Sequence, residues 1–358
     1  MNGRSDGRAG ARRRRWRAGT VLWLALLLTV AGCGQPLPTP LTPTTPDGEA
    51  PTPVVARSAP KSVAGRLLFV RGGNVWLWEG GQERKLTGDG LDSQPRWSPD
   101  GTGFLFVRGG DSYSDLWLAT DLGQTLNQLT ANQSTRFPRD SKGYVDNSWQ
   151  LAGPSWVRLP DGTDRIVFSS DRERGSLELW ILGGPGARAQ PVYGTGNLGG
   201  HSEGAALSPD GRWVAFSFDI SFPEGSPRTT QILVADLETG EYRALTSDPN
   251  GSYDPAWSPD GRWIVYASRQ GGDGTKTNLW AVRPDGSDGH RLTDGGADRG
   301  PAWSPDGDQL AFVRLQGAGY GLFYVDLTAP GGGLQAGSAQ PIGTYTDVDP
   351  ASGISWSR

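Results

Sequence analysis

The sequence predicts an all-β protein, a six-bladed β-propeller of four-stranded antiparallel blades whose first and last strands pair to close the ring. Three observations predict it. A turn of the Trp-Ser-Pro-Asp-Gly type returns five times along 358 residues. Six apolar pairs of the Leu-Trp kind follow one another at roughly blade spacing, about 40–50 residues. The chain then finishes with Ile354-Ser355-Trp356-Ser357, the innermost strand that the first repeat lacks.

The turn copies are Trp97-Ser-Pro-Asp-Gly101, Leu207-Ser-Pro-Asp-Gly211, Trp257-Ser-Pro-Asp-Gly261 and Trp303-Ser-Pro-Asp-Gly307, with a degenerate Trp156-Val-Arg-Leu-Pro-Asp-Gly162. Pro presets φ at the second turn position, Asp bonds nearby backbone, and Gly accepts positive φ without steric cost. Such a turn joins two antiparallel strands. In one full unit the strands are expected at 255–258, 263–268, 278–282 and 291–293, with a second turn at Pro284-Asp285-Gly286. Four strands in about 50 residues make a propeller blade.

The third strands are Val75-Trp76, Leu116-Trp117, Leu179-Trp180, Ile232-Leu233, Leu279-Trp280 and Leu322-Phe323, which sets the blade number at six. Outermost strands end in Leu-Thr at Leu86-Thr87, Leu129-Thr130, Leu245-Thr246 and Leu292-Thr293. Closing the ring through 354–357 removes an exposed sheet edge. The repeated tryptophans, Trp97, Trp156, Trp257, Trp303 and Trp356 on inner strands and Trp76, Trp117, Trp180 and Trp280 on third strands, are read as packing between blades.

The amino-terminal end has a different composition. Arg12 to Arg15 and Arg17 precede an apolar stretch, 21–30, that is short for a membrane span, followed by Ala31-Gly32-Cys33. This reads as a lipoprotein signal peptide over 1–32, with Cys33 acylated as the lipid anchor. Cys33 is the single cysteine, so an internal disulfide is impossible. Residues 33–61 form the anchor and a linker with eight prolines between 34 and 60, read as an extended stalk. Taking the seven Arg and one Asp of 1–32 from 34 basic and 38 acidic residues leaves 27 and 37, a net charge of −10. An acidic body argues against nucleic acid and a polybasic membrane patch. The propeller is expected over 62–358.

The Trp-Ser-Pro-Asp-Gly turns with Leu-Trp strands between them resemble the TolB propeller family over residues 66–358. The resemblance implies the six-bladed fold, an extracytoplasmic location in the bacterial envelope, and binding of a protein partner, since TolB belongs to the Tol-Pal system and its propeller binds a lipoprotein. Here a lipid-anchor signal and a Pro/Thr stalk stand where TolB has an α/β domain. Similar repeats occur in the propellers of prolyl-oligopeptidase-like enzymes. With neither a hydrolase domain nor a nucleophile elbow expected in this chain, peptide cleavage is not expected.

Loops joining second to third strands share one face, the top, with those joining one blade to the next. Top loops at 131–150, 171–176, 219–228 and 269–277 are long, and most bottom turns are short, which points to function on the top face. A glycine-rich bottom loop at 329–340 is the exception, read as flexible. The loop 131–150 holds Arg136, Phe137, Arg139, Tyr144 and Trp149, a mixture favoured at protein interfaces. Those aromatics either meet a partner or pack the loop onto the propeller. Asp92, Glu203, Asp254, Asp298 and Asp349 are expected just before the innermost strands of five blades. They either ring the channel mouth, where carboxylates attract a basic partner or Ca²⁺, or are ordinary solvated turn residues. The two histidines, His201 and His290, fall in different blades, so no histidine metal cluster and no catalytic residues are assigned. The expected function is a monomeric, non-enzymatic binding or scaffold module that takes a protein or envelope polymer on its top face. The alternatives are a calcium-dependent, lactonase-like hydrolase and a sugar-binding or sensory lipoprotein.

Overall fold

The computed structural model describes residues 63–172, 177–192, 202–220, 227–271 and 274–358. The signal 1–32, Cys33, the stalk, His201 and parts of the loops 171–176, 219–228 and 269–277 lie outside the described residues. The rest forms six antiparallel sheets, and the innermost strands contact one another in a closed ring. Blade 1 is Ser355–Ser357, Arg66–Arg71, Asn74–Glu79 and Gln82–Lys85, with Trp356 opposite Leu67 and Ser355 opposite Leu68, so the carboxyl terminus does supply the missing strand. The other innermost strands are Asp92–Trp97, Leu151–Arg158, Ser202–Leu207, Ser252–Trp257 and Asp298–Trp303 in blades 2 to 6. Among the described residues no helix is long and apolar enough to cross a membrane.

Hydrogen bonds explain both sequence signatures. In the bottom turns the serine hydroxyl donates to the aspartate, at 2.7 Å in Ser98–Asp100 and 2.6 Å in Ser258–Asp260 and Ser304–Asp306. The same hydroxyl accepts the backbone N–H that opens the second strand, at 2.9 Å from Trp213, Trp263 and Gln309. The Leu-Thr threonines work one layer further out. Thr87, Thr130, Thr246 and Thr293 each accept the third-strand N–H of Val75, Leu116, Ile232 or Leu279, at 2.9–3.0 Å. A short outer strand thereby satisfies a buried donor that a sheet of this width leaves open.

Among the described residues six apolar clusters occur, each shared by two neighbouring blades. The repeated tryptophans join them, Trp97 between blades 1 and 2, Trp180 between 2 and 3, Trp303 between 5 and 6. Side chains such as Phe104, Phe216 and Phe312 are fully buried, each contributing roughly 1.5–3 kcal/mol before entropy is counted. The core is thus six interfaces around an axis.

Three local expectations are corrected. In blade 5 the first, second and fourth strands are Ser252–Trp257, Ile264–Ser268 and His290–Arg291, where the sequence predicts 255–258, 263–268 and 291–293. The loop 131–150 contains a short helix, Lys142–Asp146, capped by Ser141, whose hydroxyl accepts from the Tyr144 N–H at 3.1 Å. The glycine-rich segment 329–340 is an ordered flap. Leu334 is buried in the cluster between blades 5 and 6, His290 Nε2 donates to its carbonyl at 2.6 Å, and Gln335–Ala336 and Gln340–Ile342 share the outer edge of blade 6.

Candidate functional site: the central channel

Each innermost strand carries the same backbone irregularity, two residues after its start in blades 2 to 6 and two residues before Ser355 in blade 1, set by its distance from the Trp at its lower end. The third residue before that Trp, or before Leu207 in blade 4, is Gln94, Gly153, Gly204, Asp254, Gly300 or Gly353, and all six have φ between 50° and 65°. In blades 2 to 6 the strand register shifts across this residue, a β-bulge that turns it toward the axis. Left-handed backbone favours glycine. Two blades place a larger residue there, and blades 2 and 5 are opposite each other in a ring of six.

The ring therefore repeats as two halves. Gln94 Oε1 accepts the Gly153 N–H at 2.7 Å, and Asp254 Oδ2 accepts the Gly300 N–H at 3.1 Å. In each half the next two residues are glycines packed backbone to backbone. A Cβ on Gly153 would lie 2.6 Å from Gly204 N, and one on Gly300 would lie 2.8 Å from Gly353 Cα. Side chains are sterically excluded there.

One residue before the Trp position a second ring faces the channel, formed by Arg96, Ser155, Ala206, Ala256, Ala302 and Ser355. Ser355 and Ser155 accept the N–H of Trp97 and Leu207 in the next blade, both at 2.9 Å. The two rings enclose a channel of about 530 Å³. Among the described residues its charged side chains are Arg96, Asp254 and Arg299. Arg299 binds Asp254 through Nε at 2.5 Å and Nη2 at 3.1 Å, and lies 5.1 Å from the Tyr253 ring centre. Burial lowers the Arg299 pKa, but the Asp254 carboxylate outweighs it and the net shift is upward.

Of the expected mouth carboxylates with a described side chain, Asp254 alone lines this channel. Asp92 and Asp298 are buried and each is clamped by the arginine opposite it on the second strand, Arg108 at 2.6 and 2.9 Å and Arg314 at 2.6 and 2.8 Å. Asp349 is engaged by its own loop, accepting from Ala351 N at 3.0 Å and the Ser352 hydroxyl at 2.6 Å. Glu203 lies in Ser202–Leu207, with its side chain outside the described residues. Nowhere among the described residues do three His, Cys, Asp or Glu side chains come together as a metal cage, so the Ca²⁺ alternative has no cluster there.

The loop 131–150 divides in two. Tyr144 is 1% exposed and belongs to the packing of the loop. Phe137 is half-buried against Gly143, with the Arg136 guanidinium 5.4 Å from its ring, and Trp149 lies under Arg172 at 5.0 Å. Arg136 and Arg139 are exposed.

Contrary to the expectation of no nucleophile elbow, Gly200-His201-Ser202-Glu203-Gly204 spells Gly-x-Ser-x-Gly, and Gly3 to Gly7 spells it again outside the described residues. The elbow places Ser on a strand-to-helix turn. Ser202 instead opens an innermost strand, opposite Phe218.

A family model described as the TolB beta propeller domain matches residues 188–334. The uncharacterized protein Atu1656 of Agrobacterium fabrum is 32% identical over 205 residues, covering 57% of this chain and 59% of that protein. The uncharacterized peptidase YuxL of Bacillus subtilis is 24% identical over 208 residues, 54% of this chain and 25% of that protein. The chain thus spans about three fifths of one relative and a quarter of the other. The crystal structure of TolB from Acinetobacter baumannii superposes with a TM-score of 0.60 at 18% identity, covering 83% of this chain and 68% of that one, a likeness of fold.

Proposed function

We propose, from the premise that this chain carries a TolB-like six-bladed β-propeller, that it is a non-enzymatic binding module which receives a protein partner over its top face and into the mouth of the central channel. The observation that carries this reading is the composition of the channel wall. Bulge backbone, Ser and Ala make up most of the two rings, and the one carboxylate among the described lining residues, Asp254, is held by Arg299 and the Gly300 N–H. General acid–base work needs a titratable group left available to a substrate. A wall of small residues and backbone instead admits an extended segment. The exposed Arg136 and Arg139 extend the contact surface onto the top face.

The reading includes an extracytoplasmic location, with acylated Cys33 as the anchor, the proline-rich segment as a spacer, and a monomeric propeller. At ~3.1 Å per residue such a spacer reaches up to ~80 Å. Two measurements test it. Intact mass of the full-length protein from its native cell should carry acyl mass at Cys33, and Cys33→Ala should move the protein from membrane to soluble fraction. A photo-crosslinker at Arg139 should capture a partner that one at Asp285, in a bottom turn, does not. Equal capture from both faces would refute the assignment of the top face.

A further inference from the structure

Arg96 breaks the repeat at the position where repetition is otherwise strict. Its five counterparts in the second ring are Ser or Ala, so the propeller closes without a long side chain at this place. The guanidinium is half-buried in the channel. Its Nη1 donates to two backbone carbonyls, Pro95 at 2.7 Å and Ser352 at 3.5 Å, and among the described residues Nε and Nη2 have no partner and no carboxylate pairs with it. The arginines in and around the mouth behave otherwise. Arg299, Arg108 and Arg314 are each clamped to a carboxylate, Asp254, Asp92 and Asp298. With Asp254 already neutralised by Arg299, the described residues leave the channel one uncompensated positive charge.

We infer that Arg96 is an anion receptor: it takes a carboxylate, borne by an acidic segment of the protein partner, that enters the channel between the two rings. This rests on the binding-module reading above. Guanidinium presents a planar fork of donors that matches a carboxylate, and its free Nε and Nη2 are the pair such a fork uses. Desolvation pushes the Arg96 pKa down to about 10, while Asp254 across the channel raises it, so the group stays cationic at neutral pH. A desolvated charge without a counter-ion weakens the empty fold, and a ligand carboxylate relieves that weakness.

The test is calorimetric titration of the full chain with an acetylated Gly-Glu-Glu-Gly peptide and, separately, with succinate. Wild type should bind the peptide, Arg96→Met should bind it roughly 10-fold or more weakly, Arg96→Lys should retain part of the affinity, and Arg139→Met on the rim should change little. In the absence of peptide, Arg96→Met should melt at or above the wild-type temperature, which a structural arginine would not allow. No peptide binding by wild type, equal binding by Arg96→Met, or a lower melting temperature of Arg96→Met overturns the inference. Binding of succinate but not peptide overturns the protein source of the carboxylate. Failure here with a partner still crosslinked from residue 139 leaves the top-face reading standing, and Arg96-dependent peptide binding without that crosslink leaves the receptor standing.

Discussion

The two ends of each innermost strand follow different rules. At the lower end the chain repeats itself: Ser98, Ser208, Ser258 and Ser304 each close the same turn on an aspartate and open the next strand through one N–H. At the upper end and inside the channel the backbone repeats, but the side chains do not. All six bulge residues keep φ between 50° and 65°, yet Gln94 and Asp254 replace glycine and Arg96 replaces a small residue. Repetition marks what every blade needs in order to fold. Departure from it at an unchanged backbone marks what this particular molecule adds, since the left-handed strain at Gln94 and Asp254, offset by their own bonds to the next blade, is a cost that glycine avoids in the other four blades.

The sharpest test of the lower end is the residue that serves both repeat and closure. Trp356 packs in the cluster between blades 6 and 1, pairs with Leu67 and donates Nε1–H to Ala64 O at 2.8 Å. Trp356→Ala should cost roughly 3–5 kcal/mol in urea unfolding, the range for a large aromatic lost from a core. Trp303→Ala removes an equivalent ring from a blade made of one continuous segment and should cost less. A smaller loss at Trp356 would show that closure does not depend on the terminal strand.

At the upper end Asp254→Gly is the next largest effect. The substitution relieves a left-handed φ of 55° but leaves Arg299 without its carboxylate. Because that pair is partly exposed to the channel, a cost of about 2 kcal/mol is expected, below the value for a fully buried pair. The double variant Asp254→Gly/Arg299→Met should recover most of it in a double-mutant cycle. If the single variant is neutral, the ion pair contributes nothing and the channel charge balance must be redrawn.

Why the fold was legible and the site only partly so follows from the same contrast. Turn residues, Leu-Trp strands and the terminal Trp356 are local chemical necessities, so their spacing alone predicts blade number, order and closure. Asp92 and Asp298 are withdrawn from the mouth because their arginine partners lie on the second strand. The signal was nonetheless present, since Asp92 and Arg108 are separated by 16 residues, as are Asp298 and Arg314. Arg96 was equally visible as the lone charged residue immediately before an innermost-strand Trp. The helix Lys142–Asp146 is too short for a periodic pattern and exists because Ser141 caps it and Tyr144 is buried beneath it. The flap 329–340 looks flexible by composition, yet Leu334 anchors it.

Smaller effects return to the bottom turns. Asp210→Ala and Asp260→Ala should each cost about 1 kcal/mol, and by similar amounts, because both lose the same serine and backbone bonds. Unequal costs would break the claim that these turns are interchangeable. Their acid response follows from the direction of the shifts. Hydrogen bonds from Ser98 and then Thr102 hold Asp100 well below the carboxylate range, and bonds from Thr163, Ser287 and Ser304 lower Asp161, Asp285 and Asp306. A carboxylate depressed in the folded state stabilises above its unfolded value, near 4, and loses that contribution as pH falls through its folded value. Melting temperature should be nearly flat from about pH 7 to 5 and fall below about pH 4. Asp115, raised by burial, works in the opposite direction and blunts the fall.

The smallest effect discriminates most finely between a strained channel residue and a repeated structural one. Gln94 sits at φ 50° and its side chain bonds the Gly153 N–H at 2.7 Å. Gln94→Gly removes a hydrogen bond worth about 1 kcal/mol and relieves left-handed strain of similar size, so stability should stay within about 1 kcal/mol of wild type. Gln94→Ala loses the bond and keeps the strain, and should be the less stable of the two by about 1 kcal/mol. That order inverts the usual one for strands, where glycine is the worse residue. Chemical denaturation of the two variants side by side measures it, and alanine more stable than glycine would mean that the bulge is unstrained at blade 2, leaving the departure from glycine there without the functional weight placed on it.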